Sequence, residues 1–109
     1  MVINDLPTLG MDYTFTILHT NGSNDSTGGS DAYTTTAAYE YIIVVANGWQ
    51  NQTNSPVTTC SLGTFIYGGY DNSSNQRFSI RVWKGVGSGA SLTLPGTSGR
   101  WSWQIIGVN

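Results

Sequence analysis

His19 is the only histidine among 109 residues, and it closes an alternating stretch, MDYTFTILHT, at 11–20. Nucleophilic catalysis would require it to meet a nucleophile and an acid. No G-x-S-x-G or comparable nucleophile motif occurs, so no catalytic role is expected of it. Asp25, Asp31 and Asp71 fall in stretches read as loops and could offer oxygen ligands to Ca²⁺. The spacing Asn21-x-Ser23-x-Asp25 lacks the closing Glu of a calcium loop, and these carboxylates are expected to be ordinary loop residues. Glycoside hydrolysis needs two carboxylates about 5–9 Å apart, whereas Glu40 sits in an apolar stretch with no evident partner. The glycines of GVGSGA (85–90) are not followed by Lys-Ser/Thr or by a helix, which excludes a phosphate loop. Lone Cys60 cannot form an intramolecular disulfide and is expected to pack as a small hydrophobe. The residues therefore predict a non-enzymatic chain, with no cofactor and no metal.

The aromatic residues carry more information. Four Trp and six Tyr invite a carbohydrate-binding reading, in which flat rings stack on sugar faces. Trp101 and Trp103 alternate with polar residues on the side of Ile105 and are expected in the core. In RFSIRVWK (77–84), the expected arrangement turns Phe78, Ile80 and Val82 inward and Arg77, Ser79, Arg81 and Trp83 outward. An exposed Trp83 beside Arg81 and Arg77 would be typical of an interface centre. Trp49, after the Asn47-Gly48 turn signal, and Tyr70, in a polar stretch, are the candidate glycan platforms, with Trp83 as a third.

The elements that must hold these residues read as strands. YEYIIVVANGW (39–49) is the longest apolar run, rich in β-branched and aromatic residues. Tyr41, Ile43 and Val45 alternate with Ile42, Val44 and Ala46, so both faces are apolar and a central strand covered on both sides is expected. Met11, Tyr13, Phe15 and Ile17 share one face of a half-buried strand. VTTCSLGTFIY (57–67) reads as one or two strands bent at Gly63. Ala90–Leu94 and WSWQIIGV (101–108) supply the last two. No segment has helical periodicity with caps. About seven or eight short strands between Gly/Asn/Ser turns predict a single antiparallel β-sandwich over 11–109, jelly-roll-like or immunoglobulin-like, preceded by an arm at 1–10. Four N-x-[ST] sequons, at Asn21, Asn24, Asn51 and Asn72, locate surface loops.

Charged residues make up only 9% of the chain, against about 25% in an average soluble domain. Four basic residues and a net charge of −2 argue against nucleic acid as a partner. No apolar run approaches the ~20 residues of a membrane helix, and no signal peptide is evident, so neither a membrane partner nor secretion is expected. Soluble monomers usually blunt sheet edges with Lys and other charges, and this chain has a single Lys. The expectation is that edges and second faces are covered by other copies of the chain, a trimer among the forms considered, or by a larger assembly.

Four segments share a texture: EYIIVVANGW, FSIRVWKG, GSGASLTL and RWSWQIIGV. Together, over about residues 38–109, this pattern resembles small β-sandwich domains of tailed-bacteriophage virion proteins. The resemblance implies a capsid cement or decoration protein, or a tail-fibre module, located in the virion after assembly in the host cytoplasm. It implies no enzyme activity and carries over no functional residue. It suggests bridging of neighbouring shell subunits, with many weak contacts adding through multivalency. On that reading Trp83→Ala would weaken assembly more than folding. A glycan-binding module is the alternative.

Overall fold

The computed structural model describes residues 12–23, 29–49, 58–71, 76–97 and 100–109. The expected arm at 1–10, Asp25 and the middles of the polar stretches lie outside these. Eight strands are present: β1 (Phe15–Ser23), β2 (Gly29–Thr34), β3 (Tyr39–Trp49), β4 (Thr59–Cys60), β5 (Thr64–Asp71), β6 (Gln76–Val86), β7 (Ser91–Thr97) and β8 (Arg100–Val108). They form two antiparallel sheets, one of five strands in the order β1-β8-β3-β6-β5 and one of three in the order β2-β7-β4. The fold is an all-β sandwich. Several strands run further than turn residues suggest: β1 continues through Asn21-Gly22, β5 through Gly68-Gly69, and β7 through Pro95-Gly96.

The longest apolar run is the centre of the larger sheet. β3 pairs with β6 from Tyr39 to Trp49 on one side and with β8 from Tyr41 to Trp49 on the other. Its Ile42, Val44 and Ala46 are buried and meet Trp103 and Ile105 from β8, Trp83 from β6 and Leu92 and Leu94 from β7. These side chains close the space between the sheets. Burying each large apolar one contributes roughly 1.5–3 kcal/mol. Gly107 of β8 is required by this packing. A Cβ there would lie 2.5 Å from the Tyr39 ring and 3.1 Å from Leu18, which occupy its place.

The inward and outward faces of β6 are the reverse of those the alternation suggested. Register pairs Ile42 with Trp83 and Val44 with Arg81, so Trp83 lies on the face that the second sheet covers and is only 4% exposed. Phe78, Ile80 and Val82 are on the open side. The same reversal holds for β1. Phe15 and Ile17 are 66% and 64% exposed, while a bulge between Ile17 and His19 turns Leu18 and His19 inward. Alternation divides a strand into two faces; which face is covered depends on pairing with distant strands.

Sheet edges are blunted by geometry rather than charge. Edge strands β1, β2 and β5 each carry a register shift, and the remaining edge, β4, is two residues long. Bulges and short edge strands both hinder end-on pairing with another chain. At one end of the sandwich, buried Thr35 ties the β2–β3 connection to the β6–β7 turn. Its hydroxyl donates to the Gly87 carbonyl and accepts from the Ala90 N–H, each at 2.8 Å. Gly89 in that turn, and Gly85 near the end of β6, have positive φ.

Because Trp83 is a core residue, Trp83→Ala is expected to lower the unfolding free energy by about 3–5 kcal/mol in denaturant titration. A loss below about 1 kcal/mol would show that the ring does not hold the sheets together.

Candidate functional site

Two features of the described residues stand apart from ordinary packing. One is a polar cluster between the sheets; the other is the open face of the larger sheet.

The polar cluster is centred on Asp31. β2 brings this carboxylate against β1 and β8. Its Oδ2 accepts hydrogen bonds from His19 Nε2 at 2.6 Å, Asn21 Nδ2 at 2.8 Å and Trp103 Nε1 at 2.8 Å, and its Oδ1 accepts from the Ala32 N–H at 2.9 Å. The His19 ring stacks on Tyr33, with centroids 5.4 Å apart, and meets Trp103 edge-on. Burial alone would raise the Asp31 carboxyl. The bonds from His19, Trp103, Asn21 and the Ala32 N–H outweigh it and bring the pKa down from 3.8 to about 2.

A histidine oriented by a carboxylate is two-thirds of a nucleophile-activating arrangement. Among the described residues, no hydroxyl or thiol is hydrogen-bonded to His19, and no group of three or more His, Cys, Asp and Glu could hold a metal. The carboxylate oxygens of Asp31 are already engaged by donors, which corrects its reading as a loop residue and potential calcium ligand. What the cluster does is join the sheets: His19 and Asn21 belong to the larger one and Asp31 to the smaller.

The open face is built in rows. Register aligns Ile17, Ile106, Ile43, Val82 and Tyr67 across all five strands, β1, β8, β3, β6 and β5. One row towards the chain ends are Phe15, Val108, Tyr41, Lys84 and Thr64, and one row the other way are Thr20, Gln104, Val45, Ile80 and Gly69. Tyr13, two residues before Phe15, meets Tyr41 edge-on, with ring centroids 6.2 Å apart. An open groove of about 350 Å³ runs over this region, lined by Tyr13, Phe15, Tyr41, Ile43, Ile66, Val82 and Val108. Lys84 is the one charged side chain in the three rows.

The sequence-predicted residues distribute as follows. Trp83 is in the core and is unavailable as an exposed interface or glycan platform, because the smaller sheet lies over its side of β6. Arg81 is partly buried on that inner side, with its guanidinium 5.6 Å from the centre of the Phe65 ring. Arg77, Trp49 and Tyr70 lie on β6, β3 and β5, but their side chains are outside the described set. Trp101 and Trp103 are buried, as expected. Cys60 packs against the core, and burial pushes its thiol up. Glu40 is exposed rather than buried. No helix among the described residues is long and apolar enough to cross a membrane. No protein family, curated protein or solved structure matches the chain.

The Asp31 cluster generates a pH dependence. Because the folded-state pKa is below the unfolded one, the stabilisation is complete above about pH 4 and is lost as pH falls towards 2. Acid titration of stability should cost the natural chain about 2 kcal/mol more than Asp31→Asn over that interval. Parallel titrations of the two proteins would instead show that the cluster contributes nothing to stability.

Proposed function

We propose that this chain is a non-enzymatic structural subunit of a larger protein assembly, of the capsid cement or decoration kind that its strand texture resembles, acting within a virion. The observation that carries this reading is the row Ile17–Ile106–Ile43–Val82–Tyr67, which crosses the entire five-stranded sheet on the side that the rest of the described chain leaves uncovered. Contiguous apolar patches larger than a few hundred Å² are uncommon on soluble monomers and mark sites of association. With 9% charged residues, the chain has little else to keep such a face dispersed in water.

This moves the docking surface expected around Arg77, Arg81 and Trp83 to the opposite side of β6. The function would be stabilisation by binding. Each copy covers its open face against neighbouring subunits of itself or of a shell, and repeated weak contacts add through multivalency. The chemistry of the polar cluster fits this role, since the Asp31 carboxylate is spent on holding the two sheets together.

Glycan-array binding measured beside light scattering tests the reading. The expected outcome is an absence of saturable sugar binding together with association of the chain into complexes. Saturable binding of one sugar class by a monomer would overturn it in favour of a glycan-binding module using Trp49 and Tyr70.

A further inference from the structure

We infer that the open face of the five-stranded sheet is a face-to-face interface between two copies of this chain, an inference that rests on the assembly reading above and names its first partner. Three observations select a second copy as the occupant.

The first is area. Five strands about 4.8 Å apart span about 24 Å, and three rows at about 3.3 Å per residue span about 20 Å. Covering that patch removes on the order of 500–600 Å² from each copy, or a little over 1,000 Å² in total, the threshold of a specific interface. Each copy thus carries enough surface to reach the low end of specific interfaces, where pairing is weak and concentration-dependent.

The second is charge. Lys84, at the margin of the patch, is the only charged side chain in the three rows. A face this uncharged has no pattern with which to select a charged partner. Inside a margin that includes Thr20, Gln104, Thr64 and Gly69 it is complementary to apolar surface, and a two-fold pair is the case in which the same patch supplies both sides. Such a pair would stack two sheets about 10 Å apart, as the sandwich already does internally.

The third is that the edges are closed to this purpose. Bulges in β1, β2 and β5 and the brevity of β4 oppose strand-to-strand addition. Association is therefore directed to the face. Phe15 and Ile17 are the residues on which it can be tested, because they are already largely exposed in the single chain and contribute little to its folding.

Sedimentation equilibrium of the full chain should give twice the chain mass. Phe15→Lys combined with Ile17→Lys should raise the dimer dissociation constant at least about 10-fold while leaving the far-ultraviolet circular dichroism unchanged. Ile43→Asp, at the middle of the central row, should act in the same direction. Leu62→Lys, at an exposed apolar position on the β4–β5 connection, should leave the mass doubled. A single-chain mass at every soluble concentration, or a doubled mass that survives the Phe15/Ile17 pair of substitutions, overturns the inference. A sugar-blind monomer overturns it and restricts the assembly reading to binding of a different shell subunit; a dimer that binds a glycan saturably leaves the interface standing and removes the assembly reading.

Discussion

Two stacked sheets can hide just one face of each from water. That constraint governs this molecule, because its larger sheet is apolar on both. The smaller sheet settles on the side of Ile42, Val44 and Ala46 and recruits Trp83, Trp101 and Trp103 into the same layer. Everything placed on the other side of β3 and β6 is left without cover from the described chain. The open face is a product of the covering, not a separate adaptation, and the two must be understood together. The large indoles are on the closed side, where their area contributes most to stability, while the open side carries Ile, Val, Phe and Tyr, residues that pack well on a pleated surface.

The Asp31 cluster shows how the covering is fixed in register. Apolar sheets sliding over one another lose little hydrophobic energy, since the attraction is non-directional. A carboxylate with four donors around it is directional. It ties β2 to β1 and, through Trp103, to β8. The indole of Trp103 thus has two roles, one as apolar filling and one as a hydrogen-bond donor. Arg81 is accommodated differently: its Nε is buried without a hydrogen bond, and the nearby Phe65 ring lies beside its guanidinium.

The strands themselves were legible in the sequence, because period-two alternation and Gly/Asn turns are local. Trp101 and Trp103 could be placed in the core from their alternation with Ser102 and Gln104. The orientation of β6 could not. Both of its faces bear large apolar groups, Phe78, Ile80 and Val82 on one and Trp83 on the other, so the local pattern has no preferred inside. Register with Ile42, some forty residues away, decides it. Reading Arg81 as a marker of solvent led to the wrong face, since a long side chain can be partly buried against an aromatic ring. The Asp31 cluster was hidden for a similar reason. Its members come from three strands in two sheets, and no local spacing in the sequence joins them. The turn residues also misled at Asn21-Gly22 and Gly68-Gly69, where strands continue because pairing with β8 and β6 satisfies the backbone.

The position of β8 has a consequence for how the chain is made. It follows the other seven described strands in sequence, yet it lies between β1 and β3 and pairs with both. Until it is available, β1 has no neighbour in its sheet and Trp103 cannot reach Asp31. Strand β1 therefore stays unpaired in its sheet until β8, far along the sequence, has been made. Contacts between strands far apart in sequence are slow to form, so the five-stranded sheet should stay incomplete until β8 pairs with β1 and β3. That step sets a delay between synthesis of β1 and completion of the five-stranded sheet.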